Sequence, residues 1–176
     1  MRDRIRAFSI GALLAVTSHY PSAAYAQSED INGLAKSIVA ATIEQARAVG
    51  DIQSGPILVD STTFSSRLRG DRSSSFQAQA IVSDLVDGQI VSNSEEARIC
   101  EYGLVRNCRI AANGMFLRLD SIQIQYDVAT VVVHYEFNLP VNARRSPSLG
   151  FVDVKLVLQK SPQGWSTVST SIARRS

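Results

Sequence analysis

Histidine is nearly absent from this sequence: its 176 residues hold two, His19 and His134. A serine triad needs a histidine base, and His19 lies in a segment that reads as removable, so only His134 could serve. Gly-x-Ser-x-Gly, His-Glu-x-x-His, a phosphate-cradling glycine loop and the dinucleotide fingerprint are all missing. Their absence removes the hydrolase, metalloprotease and nucleotide-dependent classes that those motifs mark, and no cofactor is implied. An enzyme here would have to work with carboxylates, tyrosines or the lone histidine. Cysteine is as scarce, with Cys100 and Cys108 the only two. They form no Cys-x-x-Cys redox pair. Together with His134 they match no zinc-ligand spacing, so no metal is expected. Long apolar runs are lacking too. The uncharged stretch at residues 7–16 is about half of the roughly 20 residues that span a bilayer.

That short run has a different meaning. Arg2, Arg4 and Arg6 precede it, and a more polar stretch ending in Ala24-Tyr25-Ala26 follows. A basic start, a short apolar run and small residues at the last and third-last positions are the three parts of a secretory signal. Residues 1–26 therefore read as a signal peptide, with the mature chain starting at or near Gln27 and residues 27–176 forming a single α+β domain. This points to an exported protein, periplasmic or secreted, with no membrane span after cleavage. The signal also carries the charge imbalance. The whole chain has 18 basic and 16 acidic residues; without Arg2, Arg4, Arg6 and Asp3, 15 of each remain. A neutral chain offers no electrostatic case for nucleic acid or an anionic membrane. In an oxidising compartment, two cysteines this close in sequence are expected to form a disulfide.

Along the mature chain, Ile31, Leu34, Ala35, Ile38, Val39, Ala46 and Val49 recur at helical spacing. Ser28 offers a cap and Gly50 a stop. Residues 57–60 read as a short strand, and residues 61–75 as a polar loop containing Arg69-Gly70-Asp71, an adhesion triplet best read as ordinary turn chemistry. Phe76, Ala80, Ile81, Leu85 and Val86 suggest a second helix. Asn93 caps a short third helix reaching Cys100. From Cys108 the period changes to two. Residues 115–126, with a break near Asp120-Ser121, 128–139, 151–160 and 165–172 read as strands joined by turns, in an antiparallel meander. Helices first and strands later make an α+β fold, with N-terminal helices packed on an antiparallel sheet of four to six strands.

Two stretches resemble a known family. Tyr126-Asp127-Val128-Ala129-Thr130-Val131-Val132-Val133 and Gly164-Trp165-Ser166-Thr167-Val168 are similar to the closing strands of the nuclear transport factor 2-like superfamily, within the cystatin-like α+β folds. The resemblance covers about the last third of the chain. It implies a curved, cone-like sheet wrapped around a helix, with a pocket. Members include isomerases, cyclase-like enzymes and binding modules, so it implies a fold and leaves function open.

The most chemically interesting face is on the second long strand. Val131, Val133, Tyr135 and Phe137 share one side; Val132, His134, Glu136 and Asn138 share the other. Asp153 and Lys155 extend the polar side on the next strand. One reading makes this a solvated surface on which His134 titrates near its ordinary value and is dispensable. The other makes His134, Glu136 and Asp153 an acid–base group in a pocket. Arg144 and Arg145, in a long loop, could bind an anionic partner, and Trp165 could line a binding site or pack in the core. The sequence reads best as a non-catalytic domain that binds a small apolar ligand or a protein partner. A cofactor-free isomerase or cyclase is the alternative, and a structural subunit dimerising through its sheet is a third reading.

Overall fold

The computed structural model describes residues 23–52, 54–68, 76–102, 106–140 and 148–176. The first helix, α1, spans Ala23–Ala48. It buries Leu34, Ala35, Ile38 and Val39 against the sheet, as its spacing implies. The expected stop holds. Gly50 adopts a positive φ of 75°, its amide donates to the Arg47 carbonyl, and the Asp51 amide donates to the Ala46 carbonyl. This is the Schellman ending that glycine permits. The expected start does not hold: Ser28 lies inside α1, which also includes Ala24 and Ala26. Residues 1–22 of the expected signal lie outside the described residues.

Strand β1 (Ile57–Asp60) follows, then helices α2 (Ser61–Leu68) and α3 (Ala78–Val82) and strand β2 (Gly88–Val91). A hairpin of β3 (Arg98–Tyr102) and β4 (Arg106–Ile110) comes next. The meander β5 (Met115–Gln125), β6 (Val128–Asn138), β7 (Leu149–Ser161) and β8 (Gly164–Arg175) closes the chain. The main sheet has the order β2-β1-β5-β6-β7-β8, and β3-β4 forms a small sheet of its own.

The fold expectation needs correction. The sheet is mixed, not antiparallel, because β1 runs parallel to both β2 and β5. Nor is there an N-terminal helical layer on a curved cone. Only α1 precedes the strands; α2 and α3 have eight and five residues and sit between β1 and β2. The reason is topological. Two parallel neighbours cannot be joined by a tight turn, so the chain must cross over, and residues 61–87 form that crossover. Part of the expected loop is thus helix α2, whose first amides, Thr62 and Thr63, donate to the buried Asp60 carboxylate. The expected third helix is a turn. Asn93 does accept the Glu95 and Glu96 amides, but the chain then extends into β3 and buries Ala97.

The meander matches expectation closely, including a register shift between Leu119 and Ser121. Its alternation also holds. Val131, Val133, Tyr135 and Phe137 join Val152, Val154, Leu156 and Leu158 in the main core under α1. On the opposite face, Leu58, Phe116, Val91, Ala97 and Ile110 form a smaller core beside the hairpin. Asn138 fastens the hairpin to β6: it accepts the Ile110 amide at 2.7 Å and donates to the Ile110 carbonyl at 3.2 Å.

Cys100 and Cys108 are bonded, directly opposite each other across β3 and β4. The bridge therefore ties two strands of a hairpin, where the spacing places Cys100 at the end of a short helix. Replacing either cysteine with serine is expected to cost about 2–3 kcal/mol in the chain-entropy account of so short a loop. Thermal unfolding should fall by several degrees, and intact mass should rise by two hydrogens on reduction of the parent protein. Two free thiols in the native protein would refute the bond.

Candidate functional site

Antiparallel register aligns a row of charge across four strands. Arg118 on β5 faces His134 on β6, His134 faces Asp153 on β7, and Asp153 faces Arg174 on β8. Strand alternation puts Glu136 on the same face, two residues from His134. Arg98 reaches this row from β3 of the hairpin and forms a forked ion pair with Glu136, its Nε donating at 2.9 Å and its Nη2 donating to the other oxygen. The solvated-surface reading is therefore corrected: His134, Glu136 and Asp153 are only 5 %, 4 % and 7 % exposed. Their face lies in the fold's interior, where the hairpin packs against β6 and β7.

The imidazole stands between two carboxylates. Its Nδ1 is 2.6 Å from Asp153 Oδ1 and its Nε2 is 3.1 Å from Glu136 Oε1. A neutral ring can donate from only one nitrogen; the charged ring satisfies both acceptors. Burial by itself would lower the His134 pKa, but the bonds to Glu136 and Asp153 outweigh it and raise the value above its ordinary 6.5. Burial would raise the Glu136 pKa, yet the bonds from His134 and Arg98 hold it down at about 2. Arg174 completes the chain: its Nε donates to Asp153 Oδ2 at 2.8 Å, and its guanidinium lies 4.9 Å over the Phe151 ring. Phe151 also flanks the imidazole, with ring centres 5.3 Å apart.

The order Arg98–Glu136–His134–Asp153–Arg174 thus alternates in sign, and each named carboxylate has a cation on either side. Asp120, His134 and Asp153 also bring donor atoms within 4.8 Å of one another. Asp120 is held by Arg118 at 3.0 Å, and Asp153 by Arg174. A metal ion there would lie beside the Arg118 and Arg174 guanidinium groups and would need an imidazole nitrogen stripped of its proton, so the cluster fits an ion-pair network better than a metal site. Beside it, Arg98, Cys108, Glu136, Leu149 and Phe151 line a groove of about 310 Å³.

A stability profile follows from the two shifts. Glu136 contributes fully above its ordinary 4.5, and that contribution fades as pH falls towards about 2. His134 contributes fully below 6.5, and its contribution is lost as pH rises through the raised folded-state value. Stability should therefore be greatest between about pH 4.5 and 6.5 and decline on both sides. Denaturant titrations across pH would check this. The alkaline decline should be missing in His134→Gln; an unchanged decline would refute the assignment.

The other expected residues fall elsewhere. Trp165 packs against the main core, its indole donating to Asp30 at 2.8 Å. Arg144 and Arg145, like the Arg69-Gly70-Asp71 triplet, lie outside the described residues. Sequence reading missed Arg98, Arg118 and Arg174. It also missed Asp51, set by the Schellman ending of α1, which accepts the buried Tyr135 hydroxyl and the Arg175 guanidinium, both at 2.8 Å. Burial, then the Asp51 carboxylate, pushes the Tyr135 pKa upward, so the phenol keeps its proton. No family model, curated protein or solved structure matches this chain. Among the described residues no helix is long and apolar enough to cross a membrane.

Proposed function

We propose that this is an exported, non-catalytic domain that binds a protein partner along the open edge of its sheet. One observation carries the reading. Strand β8 is twelve residues long, ends the six-stranded sheet, and is exposed along its length except at the half-buried Trp165. An edge strand presents unpaired amides and carbonyls on which a partner strand can add. The opposite edge, β2, has four residues and offers far less.

The alternatives find less support. A general base needs a free nitrogen or carboxylate oxygen near substrate, whereas both nitrogens of His134 face carboxylates that arginines already hold. A small apolar ligand calls for a mostly apolar cavity; three grooves among the described residues, of about 330, 310 and 390 Å³, include Glu44, Arg98 with Glu136, and Arg109 with Asn138 among their linings. The signal-like N-terminus and the disulfide support export to an oxidising compartment. A photoreactive residue at Thr170, introduced into the chain made with its own leader, should give adducts of higher mass in the cell. The same residue at Ile124, exposed on β5, should not. Absence of adducts at both Thr170 and Val168 would overturn the reading.

A further inference from the structure

We infer that the β3–β4 hairpin is a proton-operated flap: charged His134 latches it over the polar face of β6 and β7, and loss of that proton lets it open. The device works whether or not a partner strand adds to β8.

Several features make the hairpin a separable unit. It is a two-stranded sheet of its own, with no ladder to the main sheet among the described residues. The Cys100–Cys108 bond joins its strands, so they move together. The chain leaves it through the turn Ala111–Asn113, where Ala112 and Asn113 hold positive φ values of 49° and 56°. Backbone of this kind is common where a segment switches position. A groove of about 310 Å³ already runs beneath the hairpin, with Arg98 and Cys108 on its side and Glu136, Leu149 and Phe151 on the side of β6 and β7.

Two sets of polar contacts tie the hairpin to β6: Asn138 with Ile110, and Arg98 with Glu136. The second set contains the latch. Glu136 Oε1 accepts from Arg98 Nη2 and also meets His134 Nε2. Once the ring loses its charge, it keeps a single N–H. The 2.6 Å contact with Asp153 holds that hydrogen on Nδ1. Nε2 then turns a bare lone pair towards Glu136 Oε1 at 3.1 Å. Two acceptors repel, so the Glu136 carboxylate must turn away or admit water. Its forked partner Arg98 then follows it or lets go, and either movement frees β3.

The surrounding charges set the direction of the switch. Arg98 reaches the ring's surroundings from β3, Arg118 and Asp120 from β5, and Glu136 from β6. Asp153 and Lys155 come from β7, and Arg174 from β8. Burial opposes the charged ring; the bonds to Glu136 and Asp153 favour it and prevail, although Arg118 opposes it again, and the pKa stays above the ordinary 6.5. With the hairpin open, water reaches the ring and the ordinary value returns. Opening therefore releases a proton, and rising pH favours it.

Amide exchange of the native protein, corrected for intrinsic base catalysis, tests this. Exchange in β3 and β4 should rise roughly tenfold, the worth of one hydrogen bond to a charged group, as pH passes through the His134 titration. The imidazole resonances report that titration in the same samples, and the two midpoints should coincide. Glu136→Gln should abolish the rise while His134 still titrates, because its amide can donate to the bare nitrogen. His134→Gln should abolish it as well. Hairpin exchange that stays level through the titration, or that rises with a different midpoint, overturns the latch; the parent protein decides this even if neither variant folds. A rise that persists in folded Glu136→Gln overturns it too.

Discussion

Glu136→Ala is expected to destabilise the protein towards the lower end of the roughly 3–5 kcal/mol typical of breaking a buried ion pair. The carboxylate is buried between two cations. Its loss leaves the Arg98 guanidinium without its forked acceptor and the His134 Nε2 without a partner. Arg98 is a quarter exposed, so water recovers part of the penalty. That exposure is why the lower end is expected. Against a total of about 5–15 kcal/mol for a typical domain, the change should appear as a large drop in denaturant midpoint. The hairpin should loosen first, because Arg98 is its charged tie to β6; faster amide exchange in β3 and β4 would report this. A midpoint within experimental error of the parent would show that the network is not structural.

Leu34→Asp should do more, with a cost above about 4 kcal/mol. Leu34 is 1 % exposed in the main core, among apolar side chains. The variant would have to bury a charge, protonate it or detach α1 from the sheet. Loss of soluble protein or of a cooperative transition is the expected result, and Ile38→Asp should behave alike. Ala40→Asp provides the control: it lies on the same helix but is exposed, so only the weaker helix propensity of aspartate should register, at about 1 kcal/mol or less. If Leu34→Asp and Ala40→Asp melt together, α1 does not hold the core.

What was legible in the sequence was local. Alternation along residues 128–138 separates Tyr135 from His134 and Glu136 because successive side chains on a strand must point to opposite faces. Helical spacing from Leu34 to Ala46 identifies the buried stripe for the same kind of reason. Gly50 and the register shift near Asp120 were readable as breaks, since each answers to backbone geometry within a few residues. The Cys100–Cys108 pair followed from count and spacing.

The parts that were not legible depend on distant chain segments. Nothing local shows that β1 runs parallel to β2, with Ile57 opposite Gly88, or to β5, some 58 positions away in the register from Ile57 to Met115. Without that pairing, the crossover through α2 and α3 reads as loop and stray helix. Arg98 meets Glu136 across 38 residues, and Arg174 meets Asp153 across 21. A polar strand face looks the same in sequence whether water or a hairpin covers it.

The sequence by itself therefore determined which residues form the long strands, which of their faces is apolar, and that the two cysteines pair. Only the tertiary structure decided that the polar face closes over, that His134 sits between two carboxylates and that β8 is left as an open edge. Side-chain direction follows from backbone period, which each short segment carries within itself. Burial, protonation and edge exposure follow from which segments meet, and that is set by the free energy of the whole fold.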